Sequence, residues 1–256
     1  MSNQPFNFQP VIIVGAARSG TNMLRNLLTQ FAGVETWPCD EINYIWRYGN
    51  ANYPTDELRL QHAQVHNSKA IRKKFAQQAS KTAARWLVEK TCANSLRIDY
   101  VNKIIPEAKY LFLVRDGVDV VASAMKRWHA PLDIGYIAQK AAYIPWRDIP
   151  YYGFRYFFQR LRRLAHAQRQ LPTWGPRFSG MQQALQEHSL AKVCALQWEH
   201  SVVQSSQVLS TFPDEKVCFI KYEQFTKTPI SHLQRVLDFL QVPATNDIVK
   251  NVISYG

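Results

Sequence analysis

Val11-Ile-Ile-Val14, followed at once by Gly15-Ala-Ala-Arg18-Ser19-Gly20-Thr21 and then by Met23, Leu24, Leu27, Leu28 and Phe31 at helical spacing, is the stretch that decides the architecture. Four apolar residues in a row predict a strand buried on both faces, as in a parallel sheet. A glycine-bearing loop between such a strand and a helix aims backbone N–H groups and the positive helix end at one point, which suits a bound phosphate. The spacing of Gly15 and Gly20 matches a nucleotide-binding P-loop, but Thr21 stands where such a loop carries lysine and Asn22 where its magnesium-binding Ser or Thr would be. An ordinary ATPase or GTPase is therefore disfavoured. Arg18, one turn earlier, is a candidate for the missing positive charge. No metal is expected.

Outward from this unit the pattern recurs. Trp86 to Val88 reads as a short strand, Leu96, Ile98, Val101, Ile104 and Ile105 as an amphipathic helix, Tyr110 to Val114 as a strong strand, and Val118 to Arg127 as a helix. Later, Val217 to Ile220 reads as a strand, and Leu233, Val236, Leu237 and Leu240 mark another helix. Strands alternating with helices predict an α/β fold of three layers: a central, mainly parallel sheet with a P-loop-like phosphate-binding loop and helices on both faces. The chain has 256 residues, 46% of them hydrophobic, which is enough for one sizeable core. With no repeat, low-complexity tract or linker, residues 1–256 read as one domain, with 130–180 a helical cap or insertion.

Lys and Arg number 31 against 19 acids, a net charge of +12 that favours anionic partners without choosing among them. Arg155, Arg160, Arg162, Arg163, Arg169 and Arg177 fall in a stretch without a single acid, to be read either as a solvated helix face or as an anionic-substrate surface. The aromatics from Trp146 to Phe158 beside them are more often core than a stacking platform. Cys39, Cys92, Cys194 and Cys218 stand far apart with no Cys-x-x-Cys pair, which argues against a zinc site or a disulfide framework. No leader or transmembrane run is visible, and a cytoplasmic protein is expected. His62 and His66 lack the Glu of a His-Glu-x-x-His site and are expected on a solvated helix. No feature points to a particular oligomeric state.

VIIVGAARSGTNMLRNLL (Val11 to Leu28) resembles the first motif of the PAPS-dependent sulfotransferases, and YLFLVRDGVDVVAS (Tyr110 to Ser123) resembles their second, an arginine at a strand end with a serine eight residues on. Glu89-Lys90-Thr91 is similar to the Lys-Thr segment of the tyrosylprotein and carbohydrate branch, and Ile220-Lys221-Tyr222-Glu223-Gln224-Phe225 to the family's late strand-to-helix unit. The resemblance implies 3′-phosphoadenosine 5′-phosphosulfate as donor and adenosine 3′,5′-bisphosphate as product. Ala17, Arg18, Ser19, Gly20, Thr21 and Asn22 would form the phosphate loop, and Arg115 with Ser123 would bind the 3′-phosphate. Lys90 inherits a role at the donor sulfate, and with Arg18 would stabilise charge on the bridging oxygen. Trp37-Pro-Cys-Asp40-Glu41 lies where relatives carry a catalytic base; Glu41 is the expected base and Asp40 the substitute.

Cys92 and Ala93 depart from the Pro and Arg that many relatives have after the lysine and threonine. The chain also ends at Ser254-Tyr255-Gly256, about where cytosolic relatives begin a glycine-rich closing loop, so either the branch lacks that closure or the chain is shortened. The expected acceptor is a hydroxyl or amine, with carbohydrate, an anionic glycan included, ahead of a small alcohol or a peptide tyrosine. Two other readings stay open: a P-loop kinase or NTPase, and a non-catalytic nucleic-acid-binding protein motivated by the charge alone, for which no recognised motif is present.

Overall fold

The computed structural model describes residues 5–129 and 174–255. Five strands form one all-parallel sheet in the order β2-β3-β1-β4-β5: β1 (Gln9–Val14), β2 (Val34–Thr36), β3 (Trp86–Lys90), β4 (Lys109–Val114) and β5 (Val217–Lys221). The first strand therefore lies at the centre. Its register with its neighbours pairs Ile13 with Lys90 on one side and Val14 with Phe112 on the other. The loop after β1 thus leaves the carboxyl edge of the sheet between the ends of β3 and β4, where α/β sheets place ligands.

Alternation along β1 builds a core on each face. Ile12 and Val14 join a cluster with Phe75 of α3 (Val65–Thr82) and Tyr100, Val101 and Ile104 of α4 (Ile98–Ile104). Val11 and Ile13 join the opposite cluster, with Leu24 and Leu28 of α1 (Thr21–Leu28) and Leu233, Val236 and Leu237 of the helix Pro229–Leu240. These side chains are fully buried, each contributing roughly 1.5–3 kcal/mol. A third cluster joins α5 (Gly117–His129) to α6 (Met181–Glu187) and α7 (Leu190–Leu209) through Ala124, Trp128, Met181 and Val193. After β5 follow α8 (Tyr222–Lys227), α9 (Pro229–Leu240) and α10 (Asn246–Tyr255), the ninth helix opened by proline at its first turn.

The structure revises several details. The apolar residues from Leu96 to Ile105 do not lie on one helix: a short 3-10 turn, Cys92–Leu96, is broken at Arg97 before α4 begins. His62 ends another 3-10 turn while His66 lies in α3, so the two do not share a helix; His62 Nδ1 instead accepts the Arg59 N–H at 2.9 Å. The helix α2 (Asn43–Trp46) precedes these turns and is a single turn just after Glu41. Most of the expected cap lies outside the described residues, together with its aromatics and every arginine of its run except Arg177. Residues 174–180 are irregular and lead into α6.

Candidate active site

The β1–α1 loop is shaped by glycine. A Cβ on Gly15 would stand 2.6 Å from the Leu113 carbonyl oxygen of β4, and one on Gly20, where φ is 92°, 2.6 Å from the Tyr222 ring. Arg18 also adopts a positive φ, 75°, which is uncommon outside glycine and is concentrated at functional loops. Gly20 supplies no side-chain cap to α1, so the first-turn amides, which have no intrahelical acceptor, are left open. Ser19 is fully buried, and its Oγ has no partner among the described residues. A glycine cradle, open amides and an orphaned hydroxyl fit an anionic ligand. Thr21 is buried with Oγ1 4.0 Å from Cys92 Sγ, Ala17 is half-buried and Asn22 is exposed.

The end of β4 and the start of α5 bring the second group to this loop. Arg18 Nε donates to Ser123 Oγ at 2.9 Å, and Arg115 Nη1 donates to the Arg18 carbonyl at 3.3 Å. Arg115 packs over the Tyr222 ring, 4.5 Å from its centroid, and pairs with Asp119 at 3.1 Å, one turn on. Asp116, the obvious sequence neighbour for Arg115, instead accepts the Val118 N–H at 2.9 Å and caps α5, while its own N–H donates to Glu223. Tyr222 and Glu223 thereby hold the arginine and its turn, and Trp198 Nε1 donates to the Arg115 carbonyl at 3.1 Å. Arg115 Nε is buried and has no partner among the described residues, a second orphan beside the loop.

On the other flank, Lys90 Nζ lies 3.1 Å from Glu41 Oε1, and the Cys92 N–H points to the same oxygen at 3.4 Å. Lys90 is almost wholly buried and Glu41 about one-quarter exposed. Burial opposes the Lys90 ammonium, but the charges around it, the Glu41 and Asp40 carboxylates among them, outweigh it and hold its pKa above the ordinary value. Burial pushes the Cys92 thiol up to about 12, so it stays neutral. Asp40 turns the other way and pairs with Arg25 Nη1 at 2.8 Å. Glu41 therefore meets Lys90, and Asp40 does not take that place. Arg47, six residues after Glu41, is buried against Asp56 at 2.9 Å.

Sequence reasoning missed what lies behind Lys90. Glu89, 1% exposed, accepts from Thr91 Oγ1 and from Asn94 Nδ2 at 2.8 Å. Burial raises its pKa to about 7. An acid next to the end of an otherwise apolar parallel strand is an unusual choice, and that was the available signal. Beside the loop that carries Glu41, Arg25, Asn26, Thr36, Trp37 and Asp40 line an open cleft of about 230 Å³.

The fold and this site define a P-loop-like α/β protein with a phosphate-binding loop and flanking basic side chains. A family profile described as the sulfotransferase family matches residues 10–247, and the chain belongs to that family. No curated protein sequence matches it. Among solved structures, it resembles the sulfotransferase domain from the curacin biosynthetic pathway with a TM-score of 0.57 at 18% identity, covering 96% of this chain and 77% of that one. The sulfotransferase domain of the Synechococcus olefin synthase gives 0.56 at 16% identity, covering 97% and 78%. A sulfotransferase from Mycobacterium avium gives 0.55 at 12%, covering 98% and 69%. At these identities the likeness shows the fold. Among the described residues no helix is long and apolar enough to cross a membrane.

Proposed function

We propose that this sulfotransferase moves a sulfuryl group from 3′-phosphoadenosine 5′-phosphosulfate to a hydroxyl of an acceptor, carbohydrate being the favoured class, and releases adenosine 3′,5′-bisphosphate. The observation that carries the reading is the meeting of three strand-end loops: Arg18 with Ser123 at 2.9 Å, Arg115 on the Arg18 carbonyl at 3.3 Å, and Lys90 with Glu41 at 3.1 Å. Arg115 and Ser123 take the 3′-phosphate; Ser19 and the loop amides take the 5′-phosphate. In the transfer the acceptor oxygen bonds to sulfur while the bond from sulfur to the bridging phosphate oxygen breaks. Glu41 receives the acceptor proton, and Lys90, Arg18 and the loop amides meet the charge left on the bridging oxygen by preorganised electrostatics. The cleft lined by Asn26, Thr36, Trp37 and Asp40, formed in part by the segment that leads to Glu41, offers polar groups that suit a polyhydroxyl acceptor. We place the reaction in the cytoplasm, where Cys92, Cys194 and Cys218 would remain the buried thiols they are here.

The test is melting temperature with adenosine 3′,5′-bisphosphate, with ATP and magnesium, and with neither. A ligand at ~100 times its Kd adds about 2.7 kcal/mol to stability. Stabilisation by the bisphosphate and consumption of the phosphosulfate donor on addition of mono- or oligosaccharides are expected. Stabilisation by magnesium ATP alone, with ATP turnover, would replace the reading with a kinase.

A further inference from the structure

The hydrogen bonds behind the Lys90–Glu41 pair have a direction fixed by chemistry. Arginine can only donate, so Arg97 Nε gives its hydrogen to Asn94 Oδ1 at 2.9 Å. With its oxygen committed, Asn94 turns Nδ2 to Glu89 Oε2 at 2.8 Å. From the other end, the Ile42 backbone N–H can only donate, so Thr91 Oγ1 accepts it at 3.1 Å, and the hydroxyl hydrogen is left for Glu89 Oε1. In the ionised form both carboxyl oxygens of Glu89 therefore act as acceptors. Glu89, Thr91, Asn94 and Arg97 are each no more than 2% exposed, so every break in the chain would strand a buried polar group.

The two ends of this chain are not arbitrary. Ile42 directly follows Glu41, and Thr91 directly follows Lys90. The Glu41 segment is thus bound three times to the end of β3 and the turn after it: through the Glu41–Lys90 contact, through the Cys92 N–H on Glu41, and through the Ile42 amide on the Thr91 hydroxyl. An apolar residue at position 89 would fill the same space without burying an acid. What the acid supplies is an acceptor that orients Thr91.

We propose that Glu89 and Thr91 are positioning residues for sulfuryl transfer: through the Thr91 hydroxyl, the Glu89 carboxyl group holds the Glu41 segment against β3 and keeps Glu41 in contact with Lys90. This rests on the reading of Glu41 as base and Lys90 as the cation at the donor sulfate. Thr91→Val keeps the shape and removes the hydroxyl, Thr91→Ser keeps the hydroxyl, and Glu89→Gln presents an amide N–H₂ where an acceptor is required.

The experiment measures, below each variant's melting temperature, consumption of the phosphosulfate donor on addition of the same mono- and oligosaccharides, whose hydroxyls need a base, alongside affinity for adenosine 3′,5′-bisphosphate. The bisphosphate has no sulfuryl group for Lys90 to meet. A base displaced by about 1 Å can cost on the order of 100-fold in rate. Thr91→Val and Glu89→Gln are expected to turn over about 10- to 100-fold more slowly, Thr91→Ser to stay within about 3-fold of wild type, and all three to bind the bisphosphate within about 3-fold of wild type. Wild-type turnover in Thr91→Val, or a bisphosphate affinity that falls in step with the rate, would overturn the proposal. If wild-type protein binds the bisphosphate yet consumes no donor, the transfer reading fails, and deuterium exchange at the Ile42 amide judges the brace alone. Slow exchange in wild type and Thr91→Ser with fast exchange in Thr91→Val supports it; equal exchange in all three overturns it.

Discussion

Arg115→Ala separates the 3′-phosphate from the rest of the nucleotide. In the unliganded protein the guanidinium makes modest contacts: one hydrogen bond to the Arg18 carbonyl at 3.3 Å, the Tyr222 face at 4.5 Å, and an Asp119 carboxylate that is 59% exposed. An exposed ion pair is worth roughly 0–1 kcal/mol and an arginine on an aromatic face about 0.5–1 kcal/mol. Loss of 1–2 kcal/mol from a chain of this size lowers the melting temperature by roughly 2–6 °C, so the variant stays folded at 25 °C. A charge-assisted bond to phosphate is worth about 1.5–3 kcal/mol, so affinity for adenosine 3′,5′-bisphosphate is expected to fall roughly 10- to 150-fold. The assay is calorimetric titration of wild type and Arg115→Ala with the bisphosphate and with adenosine 5′-monophosphate, which lacks the 3′ group. The loss should appear with the first ligand and be within about 2-fold of nothing with the second, since only the 3′-phosphate contact is removed. Bisphosphate affinity within 3-fold of wild type, or equal losses with both ligands, would refute the assignment of Arg115 to the 3′-phosphate.

Glu41→Gln keeps an oxygen for Lys90 and the Cys92 amide but cannot accept a proton, so turnover of the phosphosulfate donor should fall about 10²- to 10⁴-fold with bisphosphate binding retained; steady-state rates beside titration calorimetry check both. Gly15→Ala would push a methyl to 2.6 Å from the Leu113 carbonyl oxygen, a backbone atom fixed in the sheet, so a loss of about 2 kcal/mol or more is expected in urea unfolding. Stability should also fall between pH 4.5 and about 7 through Glu89: the unfolded chain ionises this acid at its ordinary value while the folded one still holds the proton, until its own pKa of about 7 is passed. The drop is on the order of 3 kcal/mol by linkage, and urea unfolding at pH 5 and pH 8 should show it in wild type and not in Glu89→Gln. Asp56, whose burial is outweighed by Arg97, Arg177 and Arg47 so that its pKa lies below the ordinary 3.8, adds stability that is lost only under more acid conditions and does not mask this window.

What could be read from the sequence was local, and what could not was pairwise. The β1 loop, the strand ends at Lys90 and Arg115, and Ser123 two turns into α5 follow from runs and spacings within about a dozen residues. β2 spans only three residues, Val34–Thr36, too short for any period to show. The helix Val65–Thr82 is mostly polar, with its buried face carried by a few residues such as Ile71 and Phe75, so its apolar signal was thin. The placement of Asp40 and Glu41 depended on partners far along the chain: neighbours in sequence, they meet Arg25 and Lys90, and no spacing rule chooses between those two cations. The same holds at the end of β3. A strand sends successive side chains to opposite faces, so Glu89 and Lys90 had to diverge. That one enters a buried hydrogen-bond chain and the other meets Glu41 depends on Thr91, Asn94 and Ile42, which only the folded chain brings together. The period of the strand fixes that there are two destinations; the three-dimensional packing assigns them, and in doing so couples the fold's interior to the residues proposed for transfer.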